Sequence, residues 1–167
     1  FMLCAAMNPC PCGHYPDMNR CRCTPAQVMQ YLGRISQPLL DRLDLCAEVS
    51  PVDFEGLSSG RKGESTQTIR ERVICAQDIQ RERYKIEGIQ FNGELSGAQI
   101  EKYCKMEKDA RQLLKMAFQN MPFSARAYHR ILKVARTIAD LEEKEEIDLA
   151  TLREALGYRV MDKEYWG

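Results

Sequence analysis

The sequence predicts a mainly α-helical fold with a small β part. Two segments in the first third of the chain carry the strand signal: residues 1–7 form a continuous apolar run, and residues 43–49 alternate between apolar and polar side chains. Beyond residue 66 the apolar residues recur at helical spacing. We therefore expect two strands and one helix at the start, followed by a helical bundle.

Composition sets broad limits on the protein class. The chain has 167 residues, 44% of them hydrophobic, which is enough to build a core. Its formal net charge is zero, so any contact with nucleic acid or an anionic membrane must come from a local patch. No apolar run approaches the roughly 20 residues that span a bilayer. We expect a globular protein of the reducing cytoplasm with no membrane partner.

The first segment is typical of a central parallel strand that helices cover on both faces. Within it, Cys4 is most simply a small core residue. The sequence begins at Phe1 rather than at an initiator methionine, so we expect it to be part of a larger protein.

Four of the eight cysteines lie close together as two Cys-x-Cys pairs, Cys10 with Cys12 and Cys21 with Cys23. Thiolates are soft ligands that Zn²⁺ or an iron–sulfur cluster selects, so we predict a structural zinc knuckle at residues 9–24. Metal binding would be coupled to folding of this loop, with energies on the order of 10 kcal/mol.

Three other arrangements remain open for the cysteines. Two disulfides would need an oxidising compartment, and nothing in the sequence resembles a secretion signal. The thiols could also be unligated. Finally, His14 lies between the pairs and could replace one thiolate, although four cysteines already complete a tetrahedron.

A capped helix and the second strand follow the knuckle. Thr24 and Gln27 match a capping box with Pro25 at the first helical position. Apolar residues then recur over about ten residues as an amphipathic helix, at Val28, Tyr31, Leu32 and Ile35. Pro38 interrupts this pattern, and residues 43–49 then show the period of a half-buried strand.

Residues 55–66 are rich in glycine and serine and read as a linker between residues 1–54 and 67–167. Lys62 and Ser65 do not follow the glycines in the order that a phosphate-binding P-loop requires.

The remaining sequence predicts the helical bundle. Ser96 and Gln99 match a second capping box, Asp148 is a further N-cap, and Gly157 marks the expected end of the last helix. The apolar positions predicted to face the core are Ile69, Val73, Ala76, Ile79 or Gln80, Ile100, Tyr103, Cys104, Leu113, Leu114, Ala117, Phe118, Leu149, Leu152, Ala155 and Leu156. Asn92-Gly93 is expected to form a turn.

The helix at residues 124–141 separates an apolar face from a basic one. Ala127, Ile131, Val134, Ile138 and Leu141 share one side, whereas Arg130, Lys133 and Arg136 share the other. Such a basic face is either solvated surface or a weak nucleic-acid site. Arg126 lies in the first turn, where the helix N-terminus already favours an anion.

Four motifs together resemble the magnesium-chelatase-like AAA+ ATPases of the YifB/ComM type. They occur in the order found in that family, at residues 8–13, 21–23, 38–44 and 124–141. The resemblance covers nearly the whole chain. It implies that residues 1–54 are the C-terminal end of an AAA+ (P-loop NTPase) core and that residues 67–167 are its helical lid.

The resemblance also implies roles for three residues. Asn8 matches the first sensor, which orients the water that attacks ATP, and Arg42 matches the arginine finger that reaches the γ-phosphate of a neighbouring subunit. Arg126 matches the second sensor, acting in its own subunit or the next. For Arg42 the structural alternative is a salt bridge to Asp41 or Asp44.

The Walker A lysine and the Walker B acidic pair of the family are not found here, so we expect this chain alone to hydrolyse no ATP. For the parent protein the resemblance implies a hexameric, Mg·ATP-driven motor. DNA remodelling of the competence and branch-migration type is the favoured activity. A magnesium-chelatase subunit and a chaperone-like or protease-associated ATPase are the alternatives.

Overall fold

A computed structural model of the chain describes residues 2–50, 52, 54, 58, 63–121 and 123–166, with residues 160–166 as backbone. The helices whose bounds are described are α1 Pro25–Leu32, α2 Gln37–Leu40, α3 Thr66–Arg83, α4 Gly97–Tyr103, α5 Lys108–Asn120, α6 Ala125–Leu141 and α7 Leu149–Trp166. A 3₁₀ turn at Asn92–Glu94 joins α3 to α4. The mainly helical fold is therefore confirmed.

The predicted helix caps are confirmed by their hydrogen bonds. At α1 the Gln27 amide nitrogen donates to Thr24 Oγ1 at 3.3 Å, and the Thr24 amide donates to Gln27 Oε1 at 2.8 Å. The Ser96 and Gln99 pair repeats this box at α4. Local side-chain hydrogen bonding of this kind depends on sequence spacing alone.

The two predicted strands are not confirmed by the residues that the structure describes. Residues 2–7 and 43–49 contain no strand, and the one isolated β-bridge found outside named strands joins Met106 to Ile147. A strand needs a ladder of hydrogen bonds to a neighbour, and within the described residues neither segment has one; the Cys46 amide makes a backbone bond to the Tyr158 carbonyl of a helix instead. Cys4 is exposed rather than in a core. Phe1 lies outside the described residues.

Helix α6 lies at the centre of the bundle and packs against α3, α4 and α7. The main core contains Tyr84, Leu95, Ile100, Cys104, Ala110, Leu114, Ile131, Leu132, Ala135, Ile138, Ala139, Ile147, Leu152, Ala155 and Leu156. Most of the predicted core positions are thus confirmed. Ile69 and Val73 remain 42% and 40% exposed because α3 becomes buried against described residues only from Ala76 onward.

Two helix ends differ from the predictions. Helix α1 ends at Leu32, one turn earlier than the apolar period suggested. Helix α7 continues through Gly157 to Trp166. A glycine inside a helix costs about 1 kcal/mol, which is less than packing against a core supplies. Leu156 and Arg159, on either side of this glycine, are buried.

Most of the predicted linker at residues 55–66 lies outside the described residues. At its end, Ser65 caps α3 by accepting from the Thr68 amide at 3.1 Å, and Thr66 is already helical. The division at this linker stays a prediction. No helix within the described ranges is long and apolar enough to cross a membrane.

Candidate functional site

The four predicted cysteine ligands converge. The sulfur of Cys10 lies 3.4 Å from that of Cys12 and 3.8 Å from that of Cys21, and the Cys12 and Cys21 sulfurs are 3.6 Å apart. With Cys23 included, all four sulfurs lie within 4.8 Å of one another. Ligands at 2.3 Å from a tetrahedral Zn²⁺ would be about 3.8 Å apart. The cluster therefore has the size of a four-thiolate zinc site.

Two turns bring the cysteine pairs together. Gly13 adopts a φ of +80°, and its amide donates to the Cys10 carbonyl at 3.0 Å, which reverses the chain after the first pair. The Cys21 amide donates to the Asp17 carbonyl at 2.7 Å and closes the second turn. The loop then packs on Val28 and Leu32 of α1.

The alternatives left open for the cysteines can now be compared with the geometry. All four thiols are free rather than joined in disulfides. His14 is exposed, and the candidate metal cluster among the described residues consists of the four cysteines without it. The geometry thus favours the four-thiolate arrangement over the other donor sets.

The cluster also perturbs its own thiols. Hydrogen bonds from the backbone of Arg22 and then of His14 lower the pKa of Cys12 to about 6. Burial, together with the neighbouring Cys12 and Cys10 thiols, raises the pKa of Cys23 to about 12. Closely packed thiols cannot all ionise unless a cation balances them, so metal binding here would release protons.

A cavity of about 320 Å³ borders the cluster, and Arg22, Tyr31 and Arg34 contribute to its wall. The Arg34 guanidinium carbon lies 5.9 Å from the centre of the Tyr31 ring. Four thiolates around Zn²⁺ leave a net negative charge, which these two arginines would partly balance.

Asn8 lies at the entrance to the knuckle, and its side chain is exposed. A methyl group placed on Gly13 would lie 3.8 Å from the Asn8 side-chain amide. The turn at Gly13 therefore passes close to Asn8, so the knuckle and the predicted first sensor are neighbours.

Arg42 follows the short helix α2 and is exposed. Its Nη1 donates to the Pro38 carbonyl one turn earlier. Across the described part of the chain Arg42 forms no ion pair with Asp41 or Asp44, and Asp44 instead pairs with Arg130. The structural alternative for Arg42, a salt bridge within its own motif, is thus not what the structure contains.

The segment around Arg42 is held against the bundle. Arg159 Nη1 of α7 donates to the Leu40 carbonyl at 3.2 Å, and the Cys46 amide donates to the Tyr158 carbonyl at 3.2 Å. The Asp44 and Arg130 ion pair adds a contact to α6. These contacts place the arginine motif, residues 38–44, beside helices α6 and α7.

Arg126 is the second residue of α6 and is exposed. Ser124 caps this helix by accepting from the Ala127 amide at 3.1 Å. Arg126 lies one helical turn before Arg130, which contacts Asp44. The structure therefore brings the segments of Arg42 and Arg126 together.

The predicted basic face of α6 is not a free surface. Arg136 is 1% exposed and donates to Asp140 and to the carbonyls of Glu145 and Lys144. Lys133 donates to the Gly93 carbonyl at 2.8 Å, and Arg130 pairs with Asp44. The geometry corrects the interpretation of this face as a nucleic-acid site, most clearly at buried Arg136.

Comparison with models of known protein families shows the family to which this chain belongs. A model described as the C-terminal part of magnesium chelatase subunit ChlI matches residues 63–159, and a model described as magnesium chelatase subunit ChlI matches residues 1–57. This chain belongs to the magnesium-chelatase family.

Relatives within this family match along nearly the whole chain. The uncharacterized protein YifB of Salmonella typhimurium is 44% identical over 98% of this chain, and the competence protein ComM of Haemophilus influenzae is 44% identical over 96% of it. YifB of Escherichia coli is 41% identical over 98%. The chain spans 31% of the length of each of these curated relatives.

Sequence reasoning missed the residues that anchor the arginine motif of this family member. The sequence offers Asp44 as a partner for Arg42, whereas its partner in the structure is Arg130 on α6, which is distant in sequence. Arg159 lies beyond the predicted end of the last helix, so nothing local indicated its contact with Leu40.

Proposed function

We propose that this chain carries the nucleotide-sensing part of a ring-forming, Mg·ATP-driven AAA+ ATPase. The observation that carries the proposal is the proximity of the Arg42 and Arg126 segments through the Asp44 and Arg130 ion pair. Both arginines are exposed, and neither forms an ion pair with a carboxylate in the described part of the chain. Two cations available on adjoining segments suit a polyphosphate.

Each residue has a chemical task in this proposal. Charge spreads over the γ-phosphoryl oxygens during phosphoryl transfer, and the planar Arg42 guanidinium would stabilise it. Arg126 would add a second cation at a helix N-terminus, which itself favours an anion. Asn8 would orient the attacking water through its side-chain amide.

The arrangement favours action of both arginines at the same nucleotide. An arginine finger acts across a subunit interface, and the Asp44 contact fixes Arg42 close to the helix that carries Arg126. We infer that both contact the ATP of the neighbouring subunit in a hexameric ring.

The exposed apolar segments fit the same proposal. Met2, Leu3, Leu45 and Val49 are 92%, 62%, 55% and 89% exposed. Apolar residues of this kind become buried in a parallel sheet covered by helices. We propose that residues 2–7 and 43–49 are strands that pair within a larger AAA+ core.

The knuckle is proposed to hold one structural Zn²⁺ through Cys10, Cys12, Cys21 and Cys23. The sulfur separations and the free thiols support this donor set. Zn²⁺ bound by four thiolates has no open position for substrate, so it would supply stability rather than catalysis. Its place beside Asn8 would fix the first sensor.

We propose that the motor acts on DNA, as the resemblance to the competence and branch-migration type implies; the Haemophilus influenzae relative is named a competence protein. The second candidate is a chelatase-type motor that drives magnesium insertion into a porphyrin, since both family models are described by magnesium chelatase. Salt-dependent DNA binding would support the first. ATP-dependent metal insertion into porphyrin would support the second.

The decisive test replaces Arg42 and Arg126 separately with alanine in a full-length family member that carries this sequence. For Arg42→Ala we expect hydrolysis to fall by about 10³-fold or more, with binding of a fluorescent ATP analogue retained. Arg70→Ala, an exposed arginine on α3, is the matched control. Unchanged hydrolysis in Arg42→Ala, or an equal loss of binding, would overturn the proposal.

A further inference from the structure

Three contacts join residues 40–46 to the helices of the bundle. Arg159 donates to the Leu40 carbonyl, Arg130 pairs with Asp44, and the Tyr158 carbonyl accepts from the Cys46 amide. These residues are separated by up to 119 positions in the sequence. The contacts therefore belong to the tertiary fold rather than to local turn geometry.

The contacts flank Arg42 on both sides. Leu40 precedes it by two residues, and Asp44 follows it by two. Leu40 is 1% exposed and Arg159 is 3% exposed, so the first contact is a buried anchor. Arg42 itself is exposed and takes part in none of these three contacts; its Nη1 donates to the Pro38 carbonyl. The segment thus presents one exposed guanidinium, without a carboxylate partner in the described part of the chain, from an anchored backbone.

The Asp44 and Arg130 pair differs from the buried anchor. The Arg130 side chain is 27% exposed and that of Asp44 is 66% exposed. Ion pairs with this much solvent access contribute little to folding stability. Such a pair can still fix direction, because a guanidinium donates along defined N–H axes. The position of this ion pair therefore suits it to orient residues 40–46 rather than to stabilise the core.

We propose that Arg130 is a positioning residue. Through its ion pair with Asp44, it holds residues 40–46, and Arg42 within them, in a fixed position relative to Arg126. The lid helix and the arginine motif then form one unit that presents both cations together. Arg130 acts through Asp44 and touches no nucleotide. This inference rests on the proposed function of Arg42.

Arg130 connects the start of α6 to the segment that carries Arg42. It is one turn after Arg126, so a lid movement that shifts the start of α6 also shifts Asp44 and the loop. Movement of the lid on nucleotide binding or release would therefore be transmitted to Arg42. The ion pair thereby makes Arg42 and Arg126, the two predicted nucleotide contacts, move together.

The test exchanges the charges in the full-length protein, using Asp44→Arg, Arg130→Asp and the double variant. Each single variant should lower kcat by about 10- to 100-fold, as expected when a catalytic group is displaced by about 1 Å. The KM for ATP, the ring assembly and the thermal midpoint should change little, the last by less than about 4 °C. The double variant should recover most of kcat, because the pair is restored with opposite polarity.

Glu48→Arg is the matched control, since it reverses an exposed acidic residue two positions beyond residues 40–46. Full kcat in both single variants would overturn the inference, as would failure of the double variant to recover activity while its ring and midpoint are intact. Arg42→Ala separates the two proposals. If Arg42→Ala is inactive while both charge reversals are fully active, the positioning role fails and the proposed function stands. If Arg42→Ala is active, the proposed function fails.

Discussion

The guanidinium of Arg136 lies against the carboxylate of Asp140, with Nε 3.1 Å from Oδ1, and both side chains are buried. Arg83 contributes a second guanidinium to the same carboxylate, and Asn92 Nδ2 donates to its Oδ2 at 2.8 Å. Arg136 also donates to the carbonyls after the end of α6. One buried acid thus links α3, the 3₁₀ turn at Asn92–Glu94 and α6, and its partner Arg136 extends the network to the turn after α6.

We predict that Asp140→Ala destabilises the chain by about 3–5 kcal/mol, because it leaves two buried or part-buried guanidinium groups without their carboxylate. Chemical denaturation of the chain gives the free energy of unfolding. Asp78→Ala removes an exposed acid paired with Arg81 and should cost no more than about 1 kcal/mol. Equal effects of the two variants would show that the buried network contributes no special stability.

Removing the metal site should affect one part of the molecule. We expect about one zinc per chain in the native protein and none when Cys10 and Cys12 are both replaced by serine. Residues 9–24 should then become sensitive to protease, whereas the bundle from α3 to α7 keeps its thermal midpoint. Elemental analysis, limited proteolysis and thermal denaturation measure these three effects. Cys75→Ser, at an exposed thiol, should retain the metal; zinc retained by the double variant would contradict the assignment.

Two glycines provide a test of backbone conformation. Gly157 lies inside α7 and Gly88 has a φ of +71°, and a methyl group on either would meet nothing within 4 Å. Gly157→Ala should stabilise the chain by about 0.4–1 kcal/mol, since alanine favours the helix. Gly88→Ala should destabilise it by about 1–2 kcal/mol, because a left-handed conformation strains alanine. Thermal denaturation compares them; the same sign for both would contradict the described backbone.

Glu87 provides a pH-dependent contribution to stability. Hydrogen bonds from Lys102, then Tyr103 and Gln99, lower the pKa of Glu87 to about 2. Because the pKa of Glu87 is lower in the folded state than in the unfolded state, its ionised form stabilises the protein at pH values above the ordinary carboxyl pKa. This contribution is lost as the pH falls toward the folded-state pKa. Glu87→Gln should therefore lower the thermal midpoint at neutral pH, with the difference from the native chain shrinking below about pH 4.

The matched control for this pH series is Glu101→Gln, at an exposed carboxylate on the same helix as Lys102. It should show no comparable dependence on pH. A Glu87→Gln difference that stays constant down to the acid limit would contradict the role given to the carboxylate.

Local features of the fold could be predicted from the sequence. Capping boxes at Thr24 and Ser96 form because donor and acceptor are three residues apart, and the cysteine cluster forms because short turns close it. The strands could not be predicted in the same way. An apolar run indicates burial, but a strand also needs a partner that the described residues do not contain.

Long-range contacts explain the other differences. The helical period of α6 places Arg136 on the polar face and so predicts that it is exposed. Asp140 follows it by four residues, the spacing of an ion pair within a helix, and this spacing indicates the contact that the structure contains. No such signal connects Asp44 to Arg130, or Leu40 to Arg159, because these pairs form only when distant segments pack. The sequence therefore predicts which residues belong to the candidate site, but it does not predict the long-range contacts that bring them together.

The most direct test of the central claim mixes two inactive forms of the full-length protein. One carries Arg42→Ala and the other a substitution of its Walker A lysine. If Arg42 serves the ATP of a neighbouring subunit, mixed rings contain interfaces with an intact nucleotide site and an intact arginine, so ATP hydrolysis should reappear. The same recovery is predicted for Arg126→Ala. Mixed rings that assemble but remain inactive with Arg42→Ala would contradict the account.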